Sequence, residues 1–189
     1  MKLLYTLLLL LAGLLISSHS VAQGSLAALD AKNGFQGAVF GSHITKHPNL
    51  DKLAIPLSTN QPLVELFDKD LYLRMAAYAR NPPNGKIGDL RIREITYYFL
   101  KERLSRVDFE MSDDNGNELL KLYNNLYGKP IVYNKPYKTY VWKGNKVSLS
   151  MSFSYAYNDN LPFWFIRYIS VPALSASKGN INKARANDL

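Results

Sequence analysis

Apolar and polar residues alternate without a break over residues 147–155. The odd positions hold Val147, Leu149, Met151, Phe153 and Tyr155, and the even positions hold Ser148, Ser150, Ser152 and Ser154. Successive side chains of a β-strand point to opposite faces of the sheet, so a period of two predicts a strand with one apolar face on a core. We expect the serine face to lie in water, as in an antiparallel sheet covered on one side.

Catalysis by one of these serines is a weaker hypothesis. A nucleophilic serine needs a general base within hydrogen-bond reach and usually a strained G-x-S-x-G turn. No serine stands in that frame, and His43 and His47 are the only histidines after the N-terminal segment.

Other stretches repeat the period of two. Alternation over 94–99 and again over 106–111, joined by a short polar link, predicts an antiparallel hairpin with a break before it near Arg93. Gly144-Asn145 predicts a turn between strands at 137–143 and 146–157, and "FWFIRYISV" predicts the last strand. "GFQGAVFG" predicts a strand with a tight turn, residues 63–78 two strands about Asp68–Asp70, and 42–62 and 79–88 loops.

One segment has helical spacing. Leu119, Leu120, Tyr123 and either Leu126 or Tyr127 share a face, Asp113 or Asp114 is expected to cap the start, and Gly128 ends the helix. The chain has no cysteine, so neither disulfides nor thiolate ligands contribute. The predicted fold is α+β: an antiparallel sheet of about five to seven strands with one main helix packed on one face.

The N-terminal segment has the layout of a secretory signal peptide. Lys2 precedes an apolar run over residues 3–16, and small residues precede a predicted cut after Ala22. We therefore expect a signal peptide at 1–22, a flexible lead-in at 23–33, one domain at 34–172 and a flexible basic tail at 173–189. The predicted location is the bacterial periplasm or the outside of the cell, with no transmembrane segment after cleavage.

Charge is unevenly distributed along the chain. The formal net charge is +8, and residues 119–157 contain six lysines and no acid. Such a stretch can attract an anionic partner, or it can be a solvated edge that keeps strands apart. The predicted partner-binding residues are Lys129, Tyr133, Lys135, Tyr137, Lys138, Lys143 and Lys146.

Two other kinds of site are weaker hypotheses. His43, His47 and Asp51 have the spacing of metal ligands, but Pro48 interrupts any helix that would align them. Glu94, Asp108 and Glu110 fall on the polar phase of the hairpin, where pairing with Arg93 or Arg106 is expected. The aromatic residues predicted to face outward, as a recognition surface, are Tyr98, Tyr133, Tyr137, Trp164 and Tyr168.

The sequence also resembles a class of small exported bacterial proteins. "GFQGAVFG", "IGDLRIREITYYFLKERLSRVDFEM", "LYGKP" and "YVWKGNKVSLSMSF" resemble the G-F-x-G opening, strand series, short helix and W-x-G hairpin of that class. The resemblance implies fold and export, and no particular activity.

Together these observations favour an exported, non-enzymatic envelope or secreted module that binds a protein or an anionic polymer. We expect neither a cofactor nor a nucleic-acid partner. The alternatives are a metal-dependent hydrolase that uses the His43/His47 loop, and an inhibitor of an extracellular enzyme, which the positive net charge disfavours for a basic target.

Overall fold

The computed structural model describes residues 24–53, 75–80, 85–133, 139–155, 162–173 and 175. The predicted signal peptide, residues 54–74 and most of the predicted tail lie outside these ranges. The helices are α1 (Leu26–Lys32), a 3-10 turn (Ile44–Lys46) and α2 (Asp113–Tyr127). The strands are β1 (Gly34–Phe35), β2 (Ala38–Val39), β3 (Leu50–Lys52), β4 (Ala76–Arg80), β5 (Gly85–Ile87), β6 (Leu90–Ile92), β7 (Glu94–Leu100), β8 (Arg103–Ser112), β9 (Ile131–Tyr133), β10 (Thr139–Lys143), β11 (Val147–Tyr155) and β12 (Pro162–Ser170).

Eight of these strands form one sheet, in the order β3-β4-β7-β8-β12-β11-β10-β9. Every neighbouring pair is antiparallel. The predicted α+β class with a mainly antiparallel sheet is therefore confirmed, although this sheet exceeds the expected five to seven strands. The strands β1 and β2, and β5 and β6, form two separate two-stranded sheets.

The predicted hairpin is β7 and β8, joined by Lys101 and Glu102. Both residues have positive φ, 49° and 61°, which suits a two-residue turn between twisted antiparallel strands. Tyr98 pairs with Arg106 and Phe99 pairs with Leu104, so Ser105 is an extra residue on β8. This bulge changes the phase of the strand, which explains why Leu104 and Val107 both reach the core.

The main core lies between one face of the sheet and the helices. The buried side chains of this face come from five strands: Ile95, Tyr97, Phe99, Leu104, Val107, Phe109, Met111, Trp142, Val147, Leu149, Met151, Trp164, Ile166 and Tyr168. From α2, Leu119, Tyr123 and Tyr127 pack on them, and Leu29 of α1 joins the same cluster. The apolar phase of 147–151 therefore lies in the core, as the alternation predicts.

Helix α2 approaches the sheet closely at Gly116. A Cβ atom at this position would overlap the ring of Trp164, so only glycine allows the helix to pack this closely on the sheet. The indole Nε1 of Trp164 donates a hydrogen bond to Asp113 Oδ1 at 3.0 Å. The expectation that Asp113 or Asp114 caps the helix is wrong, because Ser112 holds the N-cap position and both aspartates lie in the first turn.

The predicted lead-in is also corrected. Residues 26–32 form α1, and Leu29 is fully buried. Helix α1 is held against the sheet by Asp30, whose carboxylate accepts hydrogen bonds from the backbone amides of residues 145–147 at 2.7–3.0 Å. Short helices of this kind depend on tertiary contacts, which sequence periodicity does not report.

The predicted loops contain short strands. Within 42–53 the chain forms the 3-10 turn and β3, and within 79–88 it forms the end of β4 and all of β5. Strands of three residues are too short to show a period, which is why composition alone assigned these stretches to loops. No helix among the described residues is long and apolar enough to cross a membrane.

Candidate functional site

Strand β9 forms one outer edge of the eight-stranded sheet. It pairs with β10 on its inner side, with Ile131 opposite Val141 and Val132 opposite Tyr140. Ile131 is 52% exposed and Val132 is 63% exposed, the two highest values among the exposed large apolar residues that the structure describes. Because consecutive strand residues point to opposite faces, the two side chains offer apolar surface on both sides of this edge.

Three of the predicted lysines lie at one end of this edge. Lys129 precedes β9, Lys143 ends β10, and Lys146 lies in the turn that leads to β11. All three are exposed. We call β9 together with Lys129, Lys143 and Lys146 the basic edge. The fold thus places these three predicted residues at the same end of the sheet. Lys135, Tyr137 and Lys138 lie outside the described residues, and of Tyr133 only the backbone is described.

Asp30 is the acidic residue held against the same end of the sheet. Although partial burial acts in the other direction, the backbone hydrogen bonds and the charge of Lys146 hold the pKa of Asp30 below its usual value. Its oxygens accept from the amides of Asn145, Lys146 and Val147, and a Cβ at Gly144 would overlap the carboxylate. Asp30 therefore fixes the turn that carries Lys146.

The second face of the sheet is buried, which corrects the expectation for the serine row. Ser148 is 7% exposed, Ser150 is 1% exposed and Ser152 is 3% exposed. Ser152 and Thr139 are hydrogen-bonded through their hydroxyls at 3.0 Å, whereas Ser150 Oγ is buried with no hydrogen-bond partner among the described residues. A period of two identifies which residues share a face, but it does not tell whether that face is covered.

A buried charge cluster lies at the centre of this second face. Asp108 accepts hydrogen bonds from Arg106 Nε at 2.9 Å and from Arg167 Nε and Nη2 at 3.0 Å. Although burial alone would favour the neutral acid, the two guanidinium groups hold the pKa of Asp108 below its usual value. Arg106 also stacks over the Tyr98 ring, 4.0 Å from its centroid. The cluster thus joins the neighbouring strands β8 and β12 through their side chains.

The expected pairing of Asp108 with Arg106 is present, with Arg167 as a further partner. Glu94 and Glu110, in contrast, face each other across β7 and β8. Partial burial, and then the charge of Glu94, raise the pKa of Glu110, and partial burial raises the pKa of Glu94. Both acids line a small crevice of about 20 Å³ with Thr96, Tyr98, Asp108 and Phe165, which is roughly the space of one water molecule.

The two histidines of the metal hypothesis have different partners. His43 Nε2 lies 3.0 Å from Glu102 Oε2, and His47 Nε2 lies 2.6 Å from Ser42 Oγ. Asp51 lies on β3, and the residues that the structure describes contain no group of three acids, histidines or cysteines able to hold a metal ion. Among the described residues, His43, His47 and Asp51 are therefore not gathered into one ligand set.

The Ser42–His47 contact pairs a hydroxyl with an imidazole, which the sequence pattern did not reveal. Ser42 Oγ donates its proton to Val39 O at 2.5 Å, so His47 Nε2 is the donor in this contact. Partial burial lowers the pKa of His47, and its ring packs on the edge of Phe99. The nearby amides are already bonded: Gly41 N to Leu104 O, and Ser42 N to Val39 O. Because an oxyanion hole needs amides that point at the reacting group, the contact is better explained as closing the 42–47 loop on itself. Backbone hydrogen bonds to Leu104 and Glu102, and the His47–Phe99 ring contact, hold this loop against the β7–β8 hairpin.

Three of the five aromatic residues predicted to face outward are buried, while the side chains of Tyr133 and Tyr137 lie outside the part of the chain that the structure describes. Tyr98 is 1% exposed, while Trp164 and Tyr168 are each 3% exposed. Tyr168 donates a hydrogen bond to Tyr123 at 2.7 Å inside the core, and burial raises the pKa of both phenols. Large aromatic residues with a bonded polar tip pack well in cores, so alternation misplaced them.

No known protein family, curated protein or solved structure gives a match to this chain. The resemblance to the exported class therefore stays a prediction.

Sequence reasoning missed Ile131 and Val132 as surface residues. In the sequence they are a short apolar run between Pro130 and Tyr133, which looks like any buried strand. The preceding residues, Lys129 and Pro130, could have indicated this exposure, because lysine and proline are typical of edge strands.

Proposed function

We propose that this protein is an exported binding module, without catalysis of its own, whose basic edge receives an acidic protein segment or another anionic polymer. The observation that carries the proposal is the combination at β9 of two exposed apolar side chains, Ile131 and Val132, with three exposed lysines. Anionic partners are attracted by the lysines, and the apolar pair supplies a contact that excludes water.

The lysines could instead serve only to prevent edge-to-edge association, but this role does not explain the exposed apolar residues of β9. Lysines along an edge keep sheets from joining one another, and that role needs no partner. Strand β9 itself, however, carries Ile131 and Val132 rather than charged residues. An edge that served only to prevent association would have the charge in the strand.

The test compares two triple charge reversals with equal changes in net charge. Lys129→Glu/Lys143→Glu/Lys146→Glu alters the basic edge, and Lys46→Glu/Lys52→Glu/Lys86→Glu alters exposed lysines away from it: Lys52 on the opposite edge strand β3, Lys46 in the 3-10 turn before β3, and Lys86 on the separate β5–β6 sheet. Fluorescence anisotropy with labelled poly-L-glutamate is measured at low salt and at about 0.15 M salt. We expect the first variant to lose at least about tenfold in affinity, roughly 1.4 kcal/mol, and the second to lose far less.

Equal losses in the two variants would contradict the proposal, because they would mean that net charge alone attracts the polymer.

Export is tested separately. N-terminal sequencing of the protein from its own source should find Gln23 first, and a chain that retains residues 1–22 would contradict the predicted cleavage.

A further inference from the structure

The outer side of β9 is a place where a strand can be added. Among the described strands, none pairs with this side of β9. A strand at a sheet edge presents backbone N–H and C=O groups that can pair with another extended chain. Ile131 and Val132 lie on opposite faces of this edge, 52% and 63% exposed, so an added strand would find an apolar neighbour on either face.

The residues around β9 favour a foreign acidic strand over a second copy of this chain. A second copy would bring no acidic partner to Lys129, Lys143 and Lys146, because residues 119–157, which contain β9, have six lysines and no acid. Pro130, directly before the strand, has no backbone N–H, so an added strand of either kind pairs with residues 131–133. None of the three lysines forms an ion pair within 4.0 Å with a described residue.

Asp30 does not neutralise this positive charge by a direct ion pair. Its two carboxylate oxygens are occupied by the backbone amides of residues 145–147. Lys129, Lys143 and Lys146 are exposed, so a partner's carboxylates can reach their ammonium groups.

We infer that the basic edge binds an extended, acidic segment of a partner protein, which adds to the sheet beside β9. Main-chain hydrogen bonds to residues 131–133 supply the register, and alternate side chains of the segment contact Ile131 or Val132. Carboxylates of the segment approach Lys129, Lys143 and Lys146. This inference rests on the proposed function and specifies its partner.

The test uses peptides of about ten residues that alternate glutamate with threonine, a length that covers a typical strand. Two further peptides carry N-methyl groups on alternate residues, one in each frame, which removes the donors facing β9 in one of them. Hydrogen exchange of the amides of 131–133 is followed with and without peptide. We expect the parent peptide to slow exchange at β9, and one N-methylated peptide to bind at least about tenfold more weakly.

A variant separates the apolar contact from the charge. Ile131→Thr/Val132→Thr keeps β-branched residues in the strand but removes apolar surface, and Val39→Thr is the control at another exposed valine. We expect the double variant to lose about three- to tenfold in peptide affinity without a change in its salt dependence, and the control to lose nothing.

The outcomes distinguish this inference from the function on which it rests. If poly-L-glutamate binds but exchange at 131–133 is unchanged by peptide, strand addition is wrong while the anion-binding module stands. If neither probe binds, both are wrong. Equal affinity for all three peptides and for a sulfated polysaccharide would identify a polymer site. Protection of β9 that rises with protein concentration, without peptide, would identify a second copy as the occupant.

Discussion

Asp108 lies between two buried guanidinium groups, and the fold depends on its charge. Asp108, Arg106 and Arg167 are 3%, 3% and 1% exposed. Removing one member of a buried ionic group leaves the others without compensation, which costs more than the group itself contributes.

We predict that Asp108→Asn lowers the free energy of unfolding by about 3–5 kcal/mol. Urea denaturation at neutral pH measures the loss, with Asp89→Asn, at an exposed turn position, as the control. A loss below about 1 kcal/mol, the scale of an exposed ion pair, would show that Arg106 and Arg167 do not depend on this carboxylate.

Glu110 has the opposite balance, because its carboxylate is partly buried opposite Glu94. Its raised pKa means that the folded protein holds the proton more tightly than the unfolded chain. Its contribution to stability is therefore present below the unfolded pKa, near 4.5, and is lost as pH rises through the higher folded pKa.

Glu110→Gln should consequently increase the free energy of unfolding at pH 7, by roughly 0.5 kcal/mol, the scale of a cross-strand pair. The gain should disappear at acidic pH, where the wild-type acid is also protonated. Urea denaturation at both pH values measures this, with exposed Glu118→Gln as the control. A gain of the same size at both pH values would contradict the electrostatic cause.

Helix α2 and the sheet meet at Gly116 and Trp164, where close packing requires glycine although glycine disfavours a helix. We predict that Gly116→Ala lowers the free energy of unfolding by about 1–3 kcal/mol, although alanine favours an isolated helix by about 1 kcal/mol. Thermal unfolding measures the loss, with exposed Asn124→Ala in the same helix as the control. A more stable Gly116→Ala variant would mean that Trp164 moves aside freely.

Strands β7, β8, β11 and β12 could be predicted from the sequence because each is long enough to show its alternation. The break at Arg93 was equally visible: β6 ends at Ile92, β7 begins at Glu94, and Arg93 N bonds Glu110 O at 2.8 Å. The bulge at Ser105 was not visible, since it depends on the register of two strands. Strands β3, β5 and β9 have three residues each and no readable period.

The candidate site could be predicted only in part. Lys129, Lys143 and Lys146 follow from the acid-free stretch 119–157, since charge is expected at the surface. The exposure of Ile131 depends on β9 being the outermost strand, and strand order is a property of the whole sheet. The same reasoning applies to Ser150 and Arg167, whose burial depends on what covers the second face.

Across the whole molecule, positive charge and exposed apolar surface meet at one edge of the sheet. The net charge of +8 gives the protein a general attraction for anions, but only a local site gives a defined contact. We therefore expect the basic edge to hold an anionic partner at one place on the protein surface.

The most direct measurement is a nuclear magnetic resonance titration of the isotopically labelled protein with poly-L-glutamate at about 0.15 M salt. A local site at the basic edge predicts that the amides of residue 129 and of residues 131–133 and 141–147 shift first and most, and that the amides around Lys46, Lys52 and Lys86 stay nearly unchanged. Shifts spread evenly over all exposed lysines, or confined to the opposite edge of the sheet, would contradict it.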